Sequence, residues 1–188
     1  MNPSKIIILA ILTGSILLHG TARAQTQTPI RQDVSQSQRG QLSDSDYRFL
    51  EKAARGGIEE VELGQLAQQK GVSQAVKSFG ERMVADHKKA NDELKQIAQK
   101  KGATFPAEMS HKENSRMHSL QKATGADFDK TYAREMIKDH RHDVKEFQDA
   151  AKNTNDPDLK AFAQKTLPTL QEHLRLAESM EPTVKSER

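Results

Sequence analysis

Residues 76–97 read VKSFGERMVADHKKANDELKQI, and the placing of their apolar side chains decides the fold. Val76, Phe79, Met83, His87, Ala90, Leu94 and Ile97 follow one another at steps of 3, 4, 4, 3, 4 and 3. Such a rhythm draws one stripe along an α-helix and suits no strand. Ser73 before it is a helix cap and Gly102 after it a terminator, so the spacing predicts a helix from just past Ser73 to Lys101. His87 holds a seam position, four residues after Met83, so that imidazole and thioether share the inward face.

The motif Met83-Val84-Ala85-Asp86-His87 returns as Met136-Ile137-Lys138-Asp139-His140. There the stripe is Phe128, Tyr132, Met136, His140, Val144, Phe147 and Ala151, which predicts a helix from about Asp127, as cap, to Asn153. Outward from these two lie two more helices. One runs from a cap at Ser43 or Asp44 to Lys70, with Gly71 as its stop and Leu50, Ala54, Ile58, Val61 and Ala67 inward. Gly57 and Gly64 beside that stripe imply close backbone approach or room for a neighbour's side chain. The other starts at Pro157, capped by Asp156, and reaches Met180, with Pro168 expected to kink it. Four matched amphipathic helices, linked shortly within each pair, predict an all-α antiparallel four-helix bundle over residues 44–180. The connection over 103–125 is long, broken at Phe105-Pro106, with a short polar helix predicted at 108–123 and ended by Gly125. It reads as a crossover along the bundle or a covering flap.

The ends of the chain carry other signals. Residues 1–24 read as a signal peptide: Lys5 in the n-region, an apolar run from Ile6 to Leu18, and a small-x-small cleavage site at Ala22-Arg23-Ala24. That run is too short to span a bilayer comfortably, and no later segment approaches transmembrane length. Residues 25–43, rich in Gln, Thr and Ser, read as a flexible polar linker, and 181–188 as a polar tail. The leader holds Lys5 and Arg23 and no acid, so the mature chain carries 27 basic against 26 acidic side chains. This balance gives no ground for nucleic-acid binding. Cysteine is absent, so packing alone must hold the fold together.

The quoted stretches resemble a known group. Asp46-x-x-Phe49 and Glu60 to Ala67 are similar to its first helix, and Val76-Lys77-x-Phe79 with Met83 to His87 to its second. Phe128-Asp129-x-x-Tyr132, Met136 to His140 and Val144-x-x-Phe147 resemble its third, and Leu159-Lys160-x-Phe162-Ala163, Leu167-Pro168-x-Leu170 and His173-Leu174 its last. The group is the family of domain of unknown function 4142, exported bacterial proteins of ferritin-like fold, some bearing an outer-membrane label. The resemblance covers about residues 44–178 and implies fold and export, with no established activity.

No nucleophile elbow, phosphate-binding glycine loop or zinc-ligand spacing occurs, so no enzyme is expected. A di-iron centre needs Glu-x-x-His on two helices. Val84 and Ile137 stand where those glutamates would be, which argues against one. Thioether with imidazole suits copper instead. The candidate ligands are Met83, His87, Met136 and His140, joined by His173 from the last helix and by Glu62, flanked by Ile58 and Leu66, from the first. Sharing one ion requires the rings of His87 and His140 within about 8 Å of each other or of a common carboxylate. The plainer alternative makes both methionines core filler and satisfies the buried histidines from Glu62, Glu60 or a helix-spanning hydrogen bond. His111, His118 and His142 are expected at the surface. The functional expectation is an exported, non-enzymatic binding or structural protein, periplasmic or secreted, acting on an envelope protein or lipid and associated with the outer membrane in the family's manner. Copper binding or sequestration is the alternative. Oligomeric state is not legible.

Overall fold

The computed structural model describes residues 36–186, and side chains through Met180. The expected signal peptide and most of the expected linker fall outside the described residues. Among the described residues all regular structure is helical: α1 Gln36–Arg39, α2 Asp44–Lys70, α3 Gln74–Lys101, α4 His111–Lys122, α5 Gly125–Asn153 and α6 Pro157–Ser186.

The helix ends follow local chemistry. Ser43 Oγ accepts the Asp46 N–H and Ser73 Oγ the Val76 N–H, which caps α2 and α3. Gly102 closes α3 in the left-handed region, φ 64°, its N–H turned back to Ala98 and Gln99 carbonyls. The crossover helix α4 starts later than expected because Ser110 and Glu113 form a capping box there. Helix α5 starts earlier than expected. Gly125, at φ 61°, turns the chain directly into it, so Asp127 is already inside the first turn and caps nothing. Asp156 Oδ1 accepts the N–H groups of Asp158 and Leu159, as expected of the α6 cap. Helix α6 runs on through Pro168, which lies on its exposed side, and past Met180 to Ser186.

Two buried aspartates set the direction of the bundle. Asp129, just past the first turn of α5, accepts the N–H groups of Val72 and Ser73 at 2.9 and 2.7 Å, at the α2–α3 turn. Asp46, in the first turn of α2, accepts those of Asn155 and Asp156, both at 3.2 Å, at the α5–α6 turn. Thus α5 begins at the end where α2 finishes, and the two are antiparallel. Helix α3 packs on α2 and on α6, α5 packs on α6, and α3 and α5 are diagonal partners. The 103–124 connection is therefore a crossover, returning the chain along the bundle in the ferritin-like manner. It lays α4 against α2 and α5.

Gly64 and Gly80 mark the closest approach of α2 and α3. A Cβ on Gly64 would stand 2.7 Å from the Gly80 carbonyl oxygen, and one on Gly80 2.6 Å from that of Gly64. Gly57 meets the second expectation for these glycines, since its missing Cβ makes room for the Asn91 side chain. The apolar core is divided. One cluster contains Leu63, Met83, Phe128, Tyr132, Met136 and Ala177. The other contains Leu50, Leu94, Phe147, Leu159, Phe162 and Leu170. On every long helix the residue between the two clusters is polar and buried: Glu60, His87, His140 and His173.

Candidate metal centre

Each histidine reaches the middle layer because its helix carries it on the apolar stripe. His140 and His173 are fully buried and His87 is 6% exposed. The ring centroids lie 6.1 Å apart for His87 and His140, and 5.4 Å for His173 from either of them. One ring nitrogen from each can be chosen so that all three lie within 4.8 Å of one another. Phe79 roofs the group, edge-on to His140 and His173.

The far sides of two rings are occupied. His140 Nδ1–H donates to the Met136 carbonyl at 2.9 Å, and His173 Nε2–H donates to Asp86 at 2.8 Å. His87 Nδ1 stands 3.1 Å from Glu60 Oε2. What remains is His87 Nε2, His140 Nε2 and His173 Nδ1, all buried and without a hydrogen-bond partner among the described residues. A ring whose remote N–H is held by a carboxylate or carbonyl presents its other nitrogen as a lone pair, the arrangement metal-ligating histidines adopt. Burial keeps the rings neutral. It lowers the pKa of His87 well below the usual imidazole range, with the other two rings adding to the effect. It holds His140 down to about 4. For His173, burial also lowers the pKa, opposed by the Asp86 hydrogen bond. Neutral imidazole is the ligating form.

Of the expected ligands, the structure brings together His87, His140 and His173. Met83 and Met136 are fully buried but belong to the apolar cluster one helical turn away. Met136 serves its histidine through the main-chain carbonyl. Glu62 is a correction. It is exposed and lines a side groove with Met109, Asn114 and His118 beneath α4. Two residues along a helix is about 200° around it, so Glu62 points away from the layer that Glu60 enters. The signal for Glu60 was present: Gly57, Glu60, Gly64 and Ala67 form a 3-4-3 stripe, and three of these are too small to leave room for anything but close packing. Glu60 touches two rings of the three, its Oε1 lying 3.5 Å from His140 Nε2. Burial, reinforced by Asp143, Asp139 and Glu59, raises its pKa well above the carboxylate range. Asp143 is likewise pushed up to about 7 by burial, then by Asp139 and Glu146.

Beside this layer Arg116 of α4 bridges Glu59 of α2 and Asp139 of α5. The bridge fastens the crossover helix over the α2–α5 side. Neither Glu59 nor Arg116 stood out in the sequence, because each needs the other's helix to give it meaning. His111, His118 and His142 are exposed, as expected.

A family model described as a domain of unknown function (DUF4142) matches residues 31–180. No curated protein matches the chain. Among solved structures, the chain is similar to one described as a crystal structure of a DUF305 fragment from Deinococcus radiodurans. The TM-score is 0.65 at 12% identity, over 77% of this chain and 98% of that one. At such identity the likeness concerns the fold alone.

Proposed function

The chain belongs to the family of domain of unknown function 4142, and we propose that its bundle holds one late first-row transition metal ion, copper first, at His87, His140 and His173. The observation that carries this reading is the convergence of three buried imidazole nitrogens that accept no hydrogen bond. A buried polar atom without a partner is costly, and three in one spot ask for a ligand. Metal–nitrogen bonds near 2.0–2.1 Å place tetrahedral ligands roughly 3.4 Å apart, so the rings close in by about 1 Å on loading. Imidazole suits copper, zinc, nickel and iron, and copper binds such donors most tightly of the divalent series. The role is non-enzymatic: the protein takes up the ion and keeps it from water, in the periplasm or outside the cell, where the leader-like residues 1–24 would deliver it.

Purified mature protein without a histidine tag, stripped of metal, is titrated with Cu(I), Cu(II) and Zn(II) against competing chelators. One ion per chain is expected, lost when His87→Ala and His140→Ala are combined. Absence of any stoichiometric ion would overturn the reading. The scaffold reading, an envelope protein binding a protein or lipid partner, would then stand. Its support is that His140 and His173 already hold one partner each without an ion.

A further inference from the structure

We propose that Asp143 and Glu60 form the inlet by which a cation reaches the three histidines, with Asp143 at the mouth and Glu60 at the inner end. The inference rests on the metal reading and deepens it. Two of the three rings have no exposed surface, so an ion must pass through the protein to meet them. One passage is visible. A cavity beside α2 reaches His87 and is bounded by Gly56, Gly57, Glu60 and Asp143. A broader groove outside it, edged by Lys112 and Arg116 of α4, has Gly56, Glu60 and Asp143 in its wall as well. The two spaces meet at those residues.

Glu60 is suited to hand a cation inward. Its side chain is only 5% exposed, its Oε2 lies beside His87, and its Oε1 is buried without a hydrogen-bond partner among the described residues. Arg116 bonds Glu59 and Asp139, and neither of its ion pairs among the described residues is with Glu60. The groove is lined by seven acidic side chains, Glu59, Glu60, Asp139 and Asp143 among them, against five basic ones, Lys52, Arg55, Lys112, Arg116 and Lys138, an acidic excess that favours cations over anions. Glu60 is outside the triplet of converging nitrogens, which fits a carrier better than a ligand. Gly56 borders open space in both, since a Cβ built on it meets nothing within 4 Å, so a large side chain there would project into the passage.

The test separates rate from affinity. Stopped-flow mixing of the full mature chain with Cu(II) follows loading, and chelator capture follows release. Gly56→Leu should slow both while leaving the equilibrium constant unchanged, because it fills the passage without touching a ligand. It introduces a better helix former, which protects the fold. Asp143→Asn should slow loading by roughly ten-fold through lost attraction. Glu62→Gln removes a charge from α2 outside the passage and should load at the wild-type rate. Wild-type loading by both Gly56→Leu and Asp143→Asn would overturn the inlet while leaving the metal centre standing. So would a loss of affinity at unchanged loading rate. No binding by the wild type in the equilibrium titration would overturn both.

Discussion

At His173 a single hydrogen bond determines what the ring can do. Asp86 accepts the hydrogen bond of Nε2–H and leaves Nδ1 as a lone pair. Asp86→Asn keeps the volume but removes the charge that favours this tautomer. The expected outcome is metal affinity weakened by roughly 10–100-fold, read by chelator competition. The titrating groups of the same layer oppose one another. His140 has a folded pKa near 4, below the unfolded value of about 6.5. Its contribution to apo stability is present above pH 6.5 and lost as pH falls toward 4. Asp143 has a folded pKa near 7, above an unfolded value of about 3.9. Its contribution is present below pH 4 and lost as pH rises through 7. Asp143→Asn should therefore match wild type near pH 4 and exceed it at pH 8, on the order of 1–3 kcal/mol, in urea unfolding of the apo protein. Equal differences at both values would refute the assignment.

At the scale of elements, each interhelical turn is held by a carboxylate from the opposite hairpin. Asp129 satisfies two N–H groups of the α2–α3 turn and Asp46 two of the α5–α6 turn. Asp129→Ala would strand the Val72 and Ser73 N–H groups, the second of them buried. A loss of about 2–4 kcal/mol is expected in chemical denaturation, given what charged hydrogen bonds contribute. The α2–α3 turn should also lose protection in hydrogen exchange. Helix α4 is less apolar than the four long helices, and Arg116 fastens it to α2 and α5. Arg116→Ala should raise amide exchange across His111–Lys122 well above that of α3. Unchanged protection there would show that Met117 and Leu120, both buried, suffice to hold α4 down.

At the scale of the whole molecule, the polar layer interrupts an otherwise apolar core, and an ion bound there joins α3, α5 and α6 at one point. Loading should stabilise the native state by RT ln(1 + [L]/Kd), about 2.7 kcal/mol at a free-ion concentration of 100 Kd. The Tm should rise on addition of copper and return on chelation. A Tm that ignores copper would place any bound ion outside the core.

The sequence by itself determined the four long helices, their caps at Ser43, Ser73 and Asp156, and the inward phase of His87 and His140, because these follow from a periodicity that each segment carries alone. It also identified the pairing of helices across the short turns. It grouped His173 with His87 and His140, and offered Glu62 as a ligand and Glu60 only as a hydrogen-bond partner, since both phases of α2 look half-apolar until the neighbouring helices are set around it. Tertiary structure alone decided that α3 and α5 lie diagonally, that α4 closes the α2–α5 side through Arg116, and that Asp46 and Asp129 clamp the turns. Those contacts join residues from 23 to 110 positions apart. No local rhythm encodes such distances; only the packing of whole helices against one another brings the partners within a bond's length.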